Sequence, residues 1–221
     1  MIRKVYSVYP SIARMAINLS NIFGGNSVAL TNKVCGGGAL VRLKRTKLLD
    51  SGKGNRIVIG RNSSLTNCAF SFFGNQNMIV IGENCNLNNV TFWIEDHNNT
   101  ITIQSNTSIY GQTELACMEG TRINIGEDCM FSSRITFRTG DSHSVTDSNG
   151  NRINPSKDIS IGNHVWIGQD VFLGKGSKVP DCCIVGAHAV VTRKFQQPNV
   201  AIAGNPAKIV KNNINWKRER I

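Results

Sequence analysis

Four histidines, at positions 97, 143, 164 and 188, are the side chains of this chain best suited to moving a proton near neutral pH. His143 stands apart from the others. It lies in Arg138-Thr-Gly-Asp-Ser-His143-Ser, where a stretch rich in Ser, Asp, Asn and Gly begins and runs over residues 140–157. That composition reads as a surface loop. An imidazole on such a loop can take the proton of a bound hydroxyl as a general base. Asp141 and Asp147 flank His143 closely enough to orient its ring, and Glu119 is a third carboxylate that could do so. His97 falls in the turn-like Glu95-Asp-His-Asn, and His164 and His188 fall inside regular repeats, where a solvated face or corner is the expected role.

The elements that must position these residues declare themselves by repetition. Ile57-Val-Ile-Gly60, Ile79-Val-Ile-Gly82, Ile101-Thr-Ile-Gln104 and Ile123-Asn-Ile-Gly126 recur every 22 residues, and six residues beyond the second Ile of each stand Leu65, Leu87, Ile109 and Phe131. The period then tightens to six through Ile161, Ile167, Leu173, Val179, Val185 and Val191. Four residues after each aliphatic comes a small or β-branched residue, as at Ser63, Cys85, Thr107, Cys129, Val165, Val171, Ser177, Cys183 and Ala189. The physical reading is a chain that turns a corner every six residues, with an aliphatic inward on each side and the small residue inside the corner. Three sides close one coil, and coils stacked at about 4.8 Å make a parallel prism of about seven coils, roughly 30–35 Å tall. The 22-residue coils carry about four extra residues, and the step of 36 from Ile125 to Ile161 is one such coil plus the loop 140–157.

Periodicity does not give handedness, and parallel crossovers are usually right-handed. The block Ile161-Gly-Asn-His-Val-Trp-Ile-Gly168, through Val185-Gly-Ala-His-Ala-Val-Val191 to Ala203-Gly-Asn-Pro-Ala-Lys208, resembles the left-handed parallel β-helix acyltransferases of the hexapeptide-repeat type. The nearest subgroup is the maltose-acetyltransferase-like and capsular-polysaccharide, including sialic acid, O-acetyltransferases. The resemblance covers residues 57–210 and is most specific in its C-terminal half. It implies an all-β, left-handed three-sided prism and an acetyl-CoA-dependent O-acetyltransferase of a sugar hydroxyl on a capsular or lipopolysaccharide glycan. It implies direct transfer with His143 as base; its orienting carboxylate stays open, with Asp141 the first choice among Asp141, Asp147 and Glu119. It gives Trp166 a role in catalysis or at the CoA arm, and places CoA along Gly168, Gly186 and Ala187, its phosphates met by Lys194, Lys208 and Lys211. No metal is required. A trimer with sites between neighbours follows from the same likeness.

Charge and composition bound what is left. A formal charge of +11 calls for an acidic partner, which an acidic glycan, CoA or an anionic membrane surface could each supply; nucleic acid is not expected. The seven cysteines include no CxxC pair, so zinc ligation and a disulfide framework are disfavoured and small buried side chains in a reducing, cytoplasmic compartment are expected. Arg3 and Lys4 precede an apolar stretch at residues 5–19 that Pro10 and Arg14 interrupt, which suits peripheral membrane contact better than a span. The chain divides into an N-terminal segment with irregular first coils at residues 1–52, the prism at 53–193 and a basic extension at 194–221. Asn205-Pro-Ala-Lys208 is expected to open a short C-terminal helix, and the run from Trp216 to end as a helix end or frayed tail. Rival readings are N-acetylation of an amino sugar, a carbonic anhydrase of the same prism shape and a non-enzymatic prism. The second needs two metal-binding histidines about five apart on one strand, a spacing that is absent here.

Overall fold

Ile57, Ile79, Ile101, Ile123 and Ile159 pair in register across five successive strands, and Ile59, Ile81, Ile103, Ile125, Ile161 and Val179 form a second column beside them. Each of these side chains is buried. The computed structural model describes residues 34–36 and 41–220, and these wind as a left-handed parallel β-helix of about seven coils. The first face runs from Val34–Gly36 through Arg56–Ile59 to Lys178–Val179. The second runs from Arg42–Lys44 through Trp166–Ile167 to Ala201–Ala203, and the third from Lys47–Asp50 through Thr136–Arg138 to Val190–Val191. Regular register therefore extends the prism beyond 53–193 on both sides, since Leu43 pairs with Leu65, Leu48 with Phe70, and Val185 with Ile202.

The extra residues of the 22-residue coils lie on the third face, where strands such as Val90–Ile94 and Thr113–Cys117 are longer than the two-residue strands above them. Phe70 and Phe92 stack there at 4.7 Å and fill the wider interior. The corner residues behave as their sizes require: Ser63, Cys85, Thr107, Cys129, Val165 and Ala189 are all at most 1% exposed. Burial raises the Cys129 thiol to about 12 and the Cys68 thiol to about 11, so these cysteines act as small apolar groups.

Asparagine has two separate uses. At the corner between the first and second faces, Asn62, Asn84 and Asn106 take positive φ, a conformation Asn tolerates better than most residues, and Asp128, His164, Cys182 and Asn199 continue the series. Between the third and first faces, a polar ladder climbs inside the prism. Asn77 N–H donates to Asn55 Oδ1 at 2.9 Å, Asn99 N–H to Asn77 Oδ1 at 2.8 Å, and Thr121 N–H to Asn99 Oδ1 at 3.1 Å. Thr121 and Thr139 then join their hydroxyls at 2.7 Å.

The C-terminal expectations need correction. Among the described residues there is no helix, and Asn205 and Pro206 lie in a turn that leads into the strand Lys208–Lys211. That strand runs antiparallel to Ala201–Ala203 and pairs the last open edge of the second face. Burying or pairing that edge outweighs the propensity of a four-residue helix start. Beyond it the chain is not frayed. Residues 212–220 run back down the corner between the first and second faces, through bonds to Asn199, His164, Asp128 and Asn106. Among the described residues no helix is long and apolar enough to cross a membrane. The membrane-contact expectation for residues 1–23 lies outside the described residues.

Candidate active site

The loop leaves the prism after Thr136–Arg138 and rejoins it at Ile159–Ile161, so it stands at the corner between the third and first faces. His143 sits on its outgoing arm, exposed, and its carbonyl accepts from Asn154 Nδ2 at 2.8 Å. Asn154 is 8% exposed and ties the two arms together. Its Nδ2 also donates to Asp141 Oδ2 at 2.8 Å, and its Oδ1 accepts from Val145 N–H at 2.7 Å. Lys175, from the coil above, donates to both Asp141 Oδ2 and the Asn154 carbonyl. From the coil below, Glu119 accepts from Arg152 at 2.7 Å and from the Ser156 N–H at 3.1 Å. Prism residues above and below thus fix a loop that carries an exposed imidazole at its edge.

These bonds revise the expected carboxylate roles. Asp141 is engaged by Lys175 and Asn154 rather than by the His143 ring, and the Lys175 ammonium holds its carboxyl below the usual range. Asp147 closes the loop tip by accepting from the Asn149 and Asn151 N–H groups at 2.9 Å each. Glu119 is held low by Arg152 and clamps the loop base. Asn154 and Lys175 were not singled out in the sequence; each is one of many of its type, and only the loop's return path and the stacking of coils bring them to His143. A cleft of about 510 Å³ lies at the loop's base, lined by Arg138, Asp141, Lys157, Phe172 and Lys175.

Trp166 projects from the second face and is 37% exposed, as the repeat requires. Its indole lies 6.3 Å from that of Trp216, which is carried by the descending C-terminal segment. Trp216 stacks on His164 at 4.2 Å and donates through Nε1 to the His164 carbonyl at 2.8 Å. His164 Nδ1 in turn meets Asp128 Oδ2 at 2.7 Å, so this histidine is a corner support. His97 is likewise structural, its Nδ1 accepting from Asn75 N–H at 2.8 Å.

Gly168, Gly186 and Ala187 share the corner between the second and third faces. A Cβ at Gly168 would come within 2.7 Å of the Ala187 nitrogen, so close coil stacking alone requires glycine there. Lys208, paired with Ala203, begins the cap strand near this corner, and Lys211, paired with Ala201, ends it toward the corner between the first and second faces. Lys194 does not join them. It lies by Lys157 and Lys178 at the loop's corner. Gly168 and Gly174 bracket the third face, whose six-residue side spans roughly 20 Å at about 3.3 Å per residue. Within one chain, then, His143 and the glycine corner occupy opposite edges of one face. Among the described residues no three His, Cys, Asp or Glu side chains converge as metal ligands would.

No family model matches the chain. A polysialic acid O-acetyltransferase of Neisseria meningitidis is 38% identical over 110 residues, covering 49% of this chain and 51% of that protein. The crystal structure of the polysialic acid O-acetyltransferase OatWY superposes with a TM-score of 0.65 at 30% identity, over 89% of this chain and 90% of that one. That of the polySia-specific acetyltransferase NeuO does so with a TM-score of 0.60 at 28% identity, over 79% and 89%. The chain belongs to the hexapeptide-repeat, left-handed β-helix acetyltransferase family. Its matches to the curated polysialic acid O-acetyltransferases span about half or less of their length.

Proposed function

We propose that this chain transfers an acetyl group from acetyl-CoA directly to a sugar hydroxyl of a capsular or lipopolysaccharide glycan, with His143 as general base. The observation that carries this reading is an exposed imidazole on an internally bonded loop whose base lines an open cleft, in a chain of acetyltransferase fold. A ring nitrogen of His143 takes the acceptor O–H proton as that oxygen bonds to the thioester carbonyl carbon. The C–S bond then breaks and the thiolate leaves with the proton the imidazolium returns. The glycine corner offers the pantetheine a flat edge to lie along, the Gly168 and Gly186 N–H groups themselves being bonded to the Val185 and Ile202 carbonyls, and a neighbouring N–H can serve as oxyanion donor. Lys208, on the same edge, and Lys211, at the other end of the cap strand, meet the CoA phosphates. The test is thiol release from acetyl-CoA against neutral, amino and acidic sugars: release with hydroxyl acceptors is expected, and release confined to amino sugars overturns O-transfer in favour of N-transfer.

The separation of the two corners makes a single prism incomplete, and the proposed assembly is a homotrimer. If the third face turns toward a threefold axis, the His143 corner of one copy abuts the glycine corner of the next. Outward rows support that choice of face. From residue 69 on, the third face presents Ala69, Ser71, Thr91, Trp93, Thr136, Phe172 and Val190, and its charges there, Glu114 and Arg138, lie 3.6 Å apart as an ion pair. The first face presents Arg56, Arg122 and Lys178 instead. Trp93→Arg would bring three guanidinium groups together near the axis. Sedimentation is expected to show a monomer, with unchanged circular dichroism and transfer lowered at least about 100-fold. A surviving trimer would place the contact on another face.

A further inference from the structure

The positive charge of the chain is gathered at one end. Residues 1–61 hold eleven Lys and Arg and the single acid Asp50, which accounts for nearly all of the formal +11; the remainder is close to neutral. In the described part of that stretch the cations encircle the first turns of the prism. Arg42 and Lys44 lie on the second face, Lys47 on the third and Arg56 on the first, while Arg45, Lys53 and Arg61 occupy the corners between them. All but Arg42 are exposed. Of these residues only Arg61 forms an ion pair with a described residue, Glu83, at 3.0 Å. Asp50 is already engaged, its Oδ1 accepting from Asn55 Nδ2 at 2.7 Å and from the Gly52 N–H at 3.0 Å.

This end is separate from the charges that acetyl transfer would use. Residues 62–121 contain no Lys or Arg, and Glu83, Glu95, Asp96, Glu114 and Glu119 make the middle coils acidic. The strand before the His143 loop, Thr136–Arg138, stands four strands above Lys47–Asp50 on the third face, roughly 19 Å along the prism at about 4.8 Å per strand. That exceeds the screening length of about 8–10 Å, so an anion at the catalytic corner does not relieve the repulsion among the lower cations. Their arrangement also selects a partner by shape. A linear polyanion is met by a stripe along one face, whereas cations around all three sides of a rod's end meet a plane.

A second observation falls on the same end. Val34–Gly36 is the edge strand of the first face, so the chain that precedes it enters there. Residues 1–33 contain Arg3, Lys4, Arg14 and Lys33, no acid, and the apolar or aromatic Val5, Tyr6, Tyr9, Ile12, Ile17 and Phe23. Cations mixed with aromatic and aliphatic residues suit the interface of an anionic bilayer.

We infer that the basic N-terminal end of the prism is a docking surface for an anionic phospholipid membrane, approached end-on. The inference goes beyond the acetyl-transfer reading and does not depend on it. In the proposed homotrimer, cyclic symmetry would bring three such ends into one plane, where simultaneous contacts add avidity. The coil that carries His143 would stand roughly 19 Å above the headgroups.

The test mixes the full chain, without acetyl-CoA, with phosphatidylcholine vesicles that contain or lack phosphatidylglycerol, and measures co-sedimentation. The anionic vesicles should bind at least about tenfold tighter, an advantage that shrinks as salt is raised. Lys44→Gln with Arg45→Gln, Lys47→Gln and Lys53→Gln should lower that affinity at least about tenfold with an unchanged melting temperature. As many neutralisations in the upper coils and the C-terminal segment, Lys178→Gln with Arg193→Gln, Lys194→Gln and Lys217→Gln, should change it less than about twofold. Equal binding to both kinds of vesicle, or a Lys44 set that binds like the parent, would overturn the docking surface. Equal losses from the two sets would do the same, by reducing the attraction to net charge. Tighter binding per phosphate to a DNA duplex than to the anionic vesicles, lost in the Lys44 set, would give this end to nucleic acid instead.

Discussion

In His143→Ala, acetyl transfer to a sugar hydroxyl should fall by about 10²–10⁴, the range a positioned general base contributes. The side chain is exposed and its backbone carbonyl, not its ring, holds the Asn154 bond, so the loop should keep its shape. The melting temperature and acetyl-CoA KM should therefore stay near those of the parent, and the loss should appear in kcat. His143→Asn is the useful companion, because it keeps a polar side chain of similar reach without a titrating group. Both variants should be equally slow. Turnover within tenfold of the parent in either would remove His143 from the chemistry and leave positioning alone to explain the rate.

Trp216→Ala should have the largest structural effect of any single change outside the prism core. Trp216 is 5% exposed, stacks on His164, and holds the descending segment whose Arg218 reaches Ser108 Oγ at 2.9 Å and the Cys129 carbonyl at 2.9 Å. Truncating a buried aromatic to alanine costs about 3–5 kcal/mol in a core. At a terminal segment much of that loss appears as local release. Two readouts separate the consequences. Unfolding should begin at lower temperature, and Trp166, losing the indole 6.3 Å away, should become more accessible to a soluble quencher in a Trp93→Phe background. Trp216→Phe should restore most of both. If transfer falls with Trp216→Ala and returns with Trp216→Phe, Trp166 works through its packing against this segment. If Trp166 quenching does not change, the segment is a tie between coils and nothing more.

The columns of this fold were readable from the chain because strands stack residue upon residue, so that Ile57, Ile79, Ile101 and Ile123 repeat in sequence as they do in space. The third face was less readable. Its long strands, such as Val90–Ile94, bury alternate residues at a phase that breaks the six-residue step. The internal ladder of Asn55, Asn77 and Asn99 was not readable at all, since turn asparagines and buried ones look alike until a coil is closed above them. The C-terminus misled for a related reason. Pro206 and a basic run suggest a helix, but Ala201–Ala203 offers an unpaired backbone edge, and Ile209 and Val210 are β-branched residues suited to meeting it. At the site, the loop that carries His143 was evident from its composition. Asp141 looked like its partner because it is two residues away, yet the bonds that hold the loop come from Lys175 and Glu119, supplied by coils above and below.

The antiparallel strand Lys208–Lys211 has a consequence for filaments. A parallel β-helix is a rod whose top and bottom edges are complementary: the last coil of one molecule could in principle template the first coil of another and grow without end. Here the top edge of the second face reverses its direction. An incoming strand would meet a backbone whose donors and acceptors run the opposite way and carry two exposed lysines, Lys208 and Lys211. On that face the rod has a terminus as well as an end, which lets a chain of stacked, interchangeable coils exist as a particle of fixed length.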